Sequence, residues 1–149
     1  MTIHEQISAA ITDAMRAGDA FRRDTLRMVV NTLYLTEKKE HRPLSEDEAL
    51  GILAKEIKAR HESADVYRAA GRVDLAEREE AEIAQISGFM PAALSDEAIS
   101  ALVDEAIEAV GATSPKDMGK VMGYLTPRTR GRADGKMVAS MVTIRLSVR

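Results

Sequence analysis

The sequence predicts an all-α protein, with an N-terminal helical bundle or hairpin followed by a small three-helix domain. Aromatic residues make up only 3% of the chain and Trp is absent. The core must therefore be built from Leu, Ile, Val, Met and Ala, which suits helix packing better than a β-sandwich. Apolar residues recur at helical spacing in successive segments, and helix-capping and helix-stopping residues separate these segments.

Two helices are predicted in the first 40 residues. Thr2 and Glu5 form a capping-box pattern that starts the first helix, and Gly18 is placed to end it. The second helix spans about residues 19–40 and must end before Pro43, because proline disfavours α geometry in the residue that precedes it. The positions expected to be buried are Ile3, Ile7, Ile11, Ala14, Met15, Leu26, Val29, Val30, Leu33 and Tyr34.

Two further helices complete the N-terminal part. Ser45 and Glu48 form a second capping box, which begins a long helix that ends at Gly71. Residues 73–87 form a highly charged helix with a narrow apolar seam. The expected inward-facing residues are Leu50, Leu53, Ile57, Ala64 and Tyr67 on the long helix, and Leu75, Ile83 and Ile86 on the charged helix. These helices indicate an antiparallel bundle or hairpin array.

A break in the helical pattern at residues 88–95 suggests a domain boundary. The segment contains Gly88 and Pro91, both of which interrupt helices. We therefore expect an N-terminal domain over residues 1–92 and a C-terminal domain over residues 93–149.

Three helices are predicted in the C-terminal domain. Ser95 and Asp134 are the expected N-caps of the first and third helices, and Ser114–Pro115 starts the second. Pro127 is expected just past the end of the second helix, with a loop over residues 128–131. The apolar stripes are Ile99, Leu102, Val103, Ala106, Ile107 and Val110, then Met118, Val121, Met122 and Leu125, then Met137, Val138, Met141 and Val142.

Positive charge is concentrated at the C-terminal end. The whole chain has a net charge of −3, which argues against general nucleic-acid coating, but residues 116–149 carry 8 basic residues against Asp117 and Asp134. The candidate RNA-binding residues are Lys116, Lys120, Arg128, Arg130, Arg132 and Lys136. Guanidinium groups and backbone N–H groups in a glycine-containing loop before a helix can bind phosphate. The alternative is a solvated basic rim, and Asp134 at the capping position would repel an anion.

Gly119 and Gly123 lie four residues apart within the second helix of this domain. A glycine in a helix interior costs up to ~1 kcal/mol relative to alanine, so a compensating role is expected. One interpretation is a smooth strip where an RNA backbone approaches closely. The other is close packing against a neighbouring helix, which is favoured for each glycine taken singly.

The sequence contains no catalytic or metal-binding constellation. There is no cysteine, and His4, His41 and His61 are far apart, without ligand spacing around them. Walker, Gly-x-Gly-x-x-Gly and Gly-x-Ser-x-Gly motifs are absent. We therefore expect no catalytic residue, no metal and no cofactor. Without a long apolar run or a signal-peptide pattern, a cytoplasmic protein with no membrane partner is expected.

Two C-terminal motifs, Lys116–Gly123 and Arg130–Gly135, resemble the GatB/YqeY family, and the likeness extends over essentially the whole chain. The N-terminal segments that share it are Leu26–Met28, Glu56–Lys58, Tyr67, Ala70–Arg72, Asp74–Ala76 and Phe89–Ser95. The C-terminal part is similar to the tail domain of GatB, a subunit of the tRNA-dependent amidotransferase, in which this tail helps to hold tRNA.

The resemblance implies a three-helix tail-like domain with a signature at defined positions. These positions are Gly119, Lys120, Val121 and Met122, followed by Gly131, Arg132, Ala133 and Asp134. Arg130 and Arg132 stand where lysines are expected, and both should still serve phosphate contact. Nothing matches the catalytic part of GatB, so an amidotransferase label would describe ancestry rather than activity.

Three functional hypotheses follow. The first is a non-catalytic binding protein whose partner is tRNA or a tRNA-handling protein complex. The second is an accessory subunit that acts mainly through protein contacts made by the charged helices over residues 46–87. The third, ranked below the others, is a carbon–nitrogen ligase that uses glutamine as amido donor, because the chain offers no nucleophile and no nucleotide site for that reaction.

Overall fold

The computed structural model describes residues 1–148, which form seven α-helices and one short 3-10 turn and contain no β-strand. The predicted all-α class is confirmed. The helices are α1 (Ile3–Ala17), α2 (Ala20–Glu40), α3 (Glu46–Ala69), α4 (Val73–Ser87), α5 (Asp96–Val110), α6 (Met118–Thr129) and α7 (Gly135–Ser147). The chain divides into two compact units, Met1–Met90 and a second that begins at Pro91. Arg149, one of the basic residues counted above, lies outside the described residues.

Both capping boxes predicted in the N-terminal unit form. The Thr2 hydroxyl accepts a hydrogen bond from the Glu5 N–H at 3.1 Å, and the Glu5 carboxylate accepts one from the Thr2 N–H at 3.0 Å. Ser45 and Glu48 repeat this exchange at the start of α3, with both distances at 3.1 Å. Each pair satisfies backbone donors that the first turn of a helix leaves without partners. Local sequence therefore determines where α1 and α3 begin.

The core of the N-terminal unit is formed by apolar residues of α1, α2, α3 and α4. Its buried members are Ile3, Ile7, Leu26, Val29, Leu33, Ala49, Leu53 and Ile86. Two residues expected inside are exposed, since Met15 and Tyr34 each have 54% of their surface accessible. In each case the preceding residue, Ala14 or Leu33, takes the buried position. Successive helical residues differ by about 100° around the axis, so the neighbour one position on points away from the core.

A buried ionic network connects α3 with α4 and α2. Arg60 is only 9% exposed, and its guanidinium binds Glu56 at 2.6 Å and Glu82 at 3.0 Å. The Thr32 hydroxyl on α2 donates to Glu56 at 3.3 Å. Buried charges are tolerated when they are paired and hydrogen-bonded, as here. Sequence analysis did not identify this network.

The helices α5, α6 and α7 pack around the core of the C-terminal unit. Its buried residues are Ile99, Val103, Ala106, Ile107, Ala112, Val121, Leu125, Val138, Val142 and Leu146. The predicted N-caps of α5 and α7 are confirmed. Ser95 Oγ accepts the Ala98 N–H at 3.1 Å, and Asp134 Oδ1 accepts the Lys136 N–H at 3.0 Å.

The predicted end of α6 before Pro127 is wrong, because the helix continues to Thr129. Pro127 has no N–H to give the Gly123 carbonyl, but Gly123 is exposed, so water can solvate that carbonyl. The last turn is held by buried Leu125 and Thr129, and the Thr129 hydroxyl donates to the Leu125 carbonyl at 3.0 Å. Packing and side-chain hydrogen bonds therefore compensate for the missing backbone bond.

Within residues 1–148, no helix combines the length and the apolar character needed to cross a bilayer. A cytoplasmic location stays a prediction.

Candidate functional site

Two neighbouring rows of residues run along the outer surface of α6. Residues four apart on a helix lie nearly above one another, so each set forms a row. The smooth row consists of Gly119, Gly123 and Pro127, and the basic row consists of Lys120, Tyr124 and Arg128 together with Lys116, which lies in the 3-10 turn Pro115–Asp117 that leads into α6. Every member of the two rows is exposed except Tyr124, which is half-buried. The opposite face of α6 carries Val121, Leu125 and Thr129 into the core.

The two glycines of the smooth row do not pack against another helix. A Cβ atom built at Gly119 or at Gly123 would meet no neighbouring atom within 4 Å. The close-packing interpretation favoured from the sequence is therefore wrong, because it requires a neighbouring backbone or side chain in that space. The two glycines instead leave the exposed surface of α6 without side chains at positions 119 and 123.

The start of α6 is built around Asp117. Its carboxylate accepts hydrogen bonds from the backbone N–H groups of Thr113 at 2.9 Å and Ser114 at 3.2 Å. These two N–H groups, with a smaller contribution from the positive charge of Lys120, hold the pKa of Asp117 below its usual range. The only carboxylate next to Lys116 in sequence is therefore directed into the turn that begins the helix.

Arg128 lies in the last turn of α6 rather than in the predicted loop. Its guanidinium carbon lies 3.7 Å from the centroid of the Tyr124 ring, and Nη1 donates to the Tyr124 carbonyl at 2.7 Å. The first contact is a cation–π interaction, and the second fixes the direction of the side chain. Sequence analysis did not select Tyr124, although its four-residue spacing from Arg128 would have indicated the contact.

Arg132 has a structural role in the segment before α5. Its Nε donates to the Ala92 carbonyl at 3.2 Å, and its own carbonyl accepts the Leu94 N–H at 2.8 Å. The preceding Gly131 has a φ of 73°, a left-handed conformation that favours glycine. Arg130 and Arg132 are both half-buried. The loop before α7 is therefore connected to the segment before α5, and Arg132 is less available to a ligand than the basic row.

The start of α7 does not form an open phosphate cradle. Asp134 caps this helix by accepting the Lys136 N–H, so a carboxylate occupies the place where an anion would bind. The Lys136 side chain is exposed beside it. The structure therefore leaves side-chain cations, rather than helix N–H groups, as the groups that could contact phosphate here.

The candidate cations differ from many basic residues of the N-terminal unit in their ion pairing. Among residues 1–148, no carboxylate lies within ion-pairing distance of Lys116, Lys120, Arg128, Arg132 or Lys136. In the N-terminal unit, the arginines that pair with carboxylates are Arg23, Arg42, Arg60, Arg68, Arg72 and Arg78. Among the described residues, the basic row therefore forms no ion pair, although the charge of Lys120 acts on the Asp117 carboxylate.

Arg145, which is not a candidate RNA-binding residue, differs from the basic row because it forms an ion pair. Its guanidinium pairs with Asp104 at 2.8 Å and donates to the Ser100 carbonyl at 2.7 Å. It therefore connects α7 to α5.

The described part of the chain offers no metal site, because no group of three or more His, Asp or Glu side chains in residues 1–148 is arranged to hold an ion.

Comparison with known proteins places the chain in a family. The sequence profile of the Yqey-like protein family matches residues 4–146. The chain is 28% identical over 142 residues to a protein of Pyrenophora tritici-repentis named "Altered inheritance of mitochondria protein 41, mitochondrial", covering 92% of this chain and 77% of the relative. It is also 28% identical over 85 residues to the uncharacterized protein C22F3.15 of Schizosaccharomyces pombe, covering 57% of this chain and 69% of that relative. Since the family profile spans nearly the whole sequence, the chain belongs to the YqeY-like protein family.

Proposed function

We propose that the C-terminal unit binds RNA through the basic row of α6, and that its partner is tRNA or a protein complex that handles tRNA. The observation that carries this proposal is that Lys116, Lys120 and Arg128 are exposed, form no ion pair with a described carboxylate, and lie beside the smooth row. The chain then acts as a binding protein and does not carry out catalysis on its own.

The physical argument begins with the phosphate backbone, which supplies most of the sequence-independent affinity of nucleic-acid binding. A cation that already pairs with a carboxylate has to break that pair before it can neutralise a phosphate. Within residues 1–148, no carboxylate forms an ion pair with Lys116, Lys120 or Arg128. Lys120 and Arg128 lie two helical turns apart on α6, and Lys116 lies in the turn that leads into the helix, so the three charges follow one another along the same segment.

The smooth row contributes access rather than attraction. Long side chains at Gly119 or Gly123 would hold a ligand away from the helix, whereas glycine lets it reach the helix surface. Pro127 leaves the Gly123 carbonyl without its helical donor, and because Gly123 is an exposed residue, a ribose hydroxyl that reaches this row could donate to that carbonyl.

The other candidate residues take supporting roles in this proposal. Arg130, Arg132 and Lys136 form the edge of the surface, and Arg132 also holds the segment before α5. Gly131 and Asp134 shape the turn and cap α7, so they position the surface without contacting RNA. Similarity to the GatB tail supports tRNA as the class of RNA, and no amide-transfer activity is proposed for this chain.

The test is a filter-binding titration of tRNA at one fixed, low salt concentration. The variant Lys116→Gln/Lys120→Gln/Arg128→Gln removes three charges from the basic row and should bind at least about tenfold more weakly. The matched control is Lys38→Gln/Lys55→Gln/Lys58→Gln, which removes three exposed charges from the N-terminal unit and should bind tRNA like the wild type. Equal retention of tRNA by all three proteins would overturn the assignment of the basic row.

A pull-down of the intact chain distinguishes this proposal from an accessory role through protein contacts. Under the proposal, RNA is recovered with the chain, and nuclease treatment releases any protein that accompanies it. A partner protein that stays bound after nuclease treatment, in the absence of tRNA binding by the purified chain, would favour the accessory role.

A further inference from the structure

We infer that the contact between Arg128 and Tyr124 is a stacking platform for unpaired nucleotides, so that the C-terminal unit prefers single-stranded or loop RNA over fully paired duplex. This inference rests on the proposed RNA binding and specifies which part of an RNA the basic row accepts. The observation behind it is the 3.7 Å approach of the Arg128 guanidinium carbon to the centroid of the Tyr124 ring.

A guanidinium group has two faces, and Tyr124 covers only one of them. The Arg128 side chain as a whole is exposed, so its outer face is directed to solvent. An arginine plane of this kind can stack on a nucleobase, as aromatic rings do in proteins that bind unpaired RNA. A base in a continuous duplex has both faces occupied by its neighbours and cannot use this site.

The platform is held by contacts within the C-terminal unit. Nη1 of Arg128 donates to the Tyr124 carbonyl at 2.7 Å, which favours the position of the guanidinium over the ring. Tyr124, which is half-buried, packs against the core of the C-terminal unit. A base that stacks on Arg128 therefore has less side-chain freedom to remove, which lowers the entropic cost of binding.

Charges for the adjoining phosphates lie on the same row. Lys120 is one helical turn before Tyr124, about 6 Å along the helix axis, and Lys116 lies four residues before Lys120, in the 3-10 turn that leads into α6. This order places Lys120 beside the platform. Among the described residues, neither lysine forms an ion pair with a carboxylate. The arrangement of phosphate contacts next to a stacking group is typical of surfaces that bind single strands.

The experiment compares two RNAs with the same number of phosphates, a hairpin with an unpaired loop and a blunt, fully paired duplex. The variants are Arg128→Lys, which keeps the charge but loses the plane, and Tyr124→Leu, which loses the ring but keeps an apolar side chain against the core. Thermal unfolding of each variant checks the fold, and a fluorescent adenine analogue in the loop reports stacking directly.

The wild-type chain should bind the hairpin more tightly than the duplex, and each variant should lose about fivefold or more of its hairpin affinity while its duplex affinity is retained. Quenching of the loop analogue should be seen with the wild type and be reduced with Arg128→Lys. If the wild type binds hairpin and duplex equally, or if both variants keep the preference, the stacking inference is overturned while the proposed function stands. If the wild type binds neither RNA, both are overturned.

Discussion

Arg60 on α3 and Glu82 on α4 form an ion pair in the interior of the N-terminal unit, with 3.0 Å between Nε and Oε2. Only 10% of the Arg60 side chain and 12% of the Glu82 side chain are exposed. Glu56 accepts a second hydrogen bond from the same guanidinium at 2.6 Å. The pair therefore depends on both carboxylates being held around one buried cation, and it connects the consecutive helices α3 and α4.

Replacing Arg60 by alanine should destabilise the N-terminal unit by about 3 kcal/mol, because Glu56 and Glu82 would lose the buried cation between them and Glu82 would keep, among the described residues, only the exposed Arg78 at 4.0 Å. Urea unfolding followed by circular dichroism measures the change. The variant Arg60→Met/Glu56→Gln/Glu82→Gln removes all three charges together and should recover part of the lost stability. A triple variant that is less stable than Arg60→Ala would show that the charges themselves stabilise the fold.

Replacing Gly123 by alanine should raise the stability of the C-terminal unit by about 1 kcal/mol. The position is helical and a Cβ atom there meets no neighbour within 4 Å, so only the helix preference of alanine changes. The matched control is Gly111→Ala, where φ is +65° and alanine should be destabilising by about 1 kcal/mol. A lower melting temperature for Gly123→Ala would restore the packing interpretation that the structure excludes.

A longer side chain on the smooth row should weaken RNA binding without affecting the fold. Gly123→Gln adds a neutral side chain that projects between the helix surface and an approaching ligand, whereas Gly123→Ala adds one methyl group. In tRNA titrations the glutamine variant should bind several-fold more weakly than the alanine variant, with both melting at or above the wild-type temperature. Identical affinities for the two variants would remove the smooth row from the binding surface.

Stability in acid should depend on Glu48. Its pKa is lowered to about 2, first by the hydrogen bonds from Arg42 and then by the backbone N–H and hydroxyl of Ser45. Because the folded pKa lies below the unfolded value, the unfolded state binds more protons between about pH 4.5 and pH 2. The contribution of Glu48 is therefore fully present above about pH 4.5 and is lost as the pH falls toward 2.

The variant Glu48→Gln tests this contribution, since it keeps the shape of the capping residue but does not titrate. Urea midpoints measured from neutral pH to pH 2 should fall less steeply below pH 4.5 for the variant than for the wild type. Parallel curves through that window would show that Glu48 has the same pKa in the folded and unfolded chains.

Much of the helical architecture could be predicted because its signals are local. The Thr2 and Ser45 capping boxes and the caps at Ser95 and Asp134 depend on residues two or three positions away. A sequence shows such neighbours directly. The same applies to the stacking of Arg128 on Tyr124, which lies within one helical turn and could have been read from the spacing.

The features that sequence analysis missed depend on contacts between distant residues. Pro127 is tolerated because Leu125 and Thr129 are buried against the core; Leu125 lies on the predicted apolar stripe, but the sequence does not indicate the burial of the polar Thr129 beyond Pro127. Arg60 meets Glu82 across 22 residues, and the sequence alone does not show that the two side chains come together. The empty space beside Gly119 could likewise be recognised only once neighbouring helices were placed.

The most direct test of RNA binding by the basic row is the salt dependence of tRNA affinity. Each phosphate contact contributes about 0.7 to 0.9 to the slope of the logarithm of the association constant against the logarithm of salt concentration. The variant Lys116→Gln/Lys120→Gln/Arg128→Gln should therefore have a slope shallower than the wild type by about 2 to 3, while Lys38→Gln/Lys55→Gln/Lys58→Gln keeps the wild-type slope. Equal slopes for the wild type and the basic-row variant would contradict the proposal that these three side chains contact phosphate.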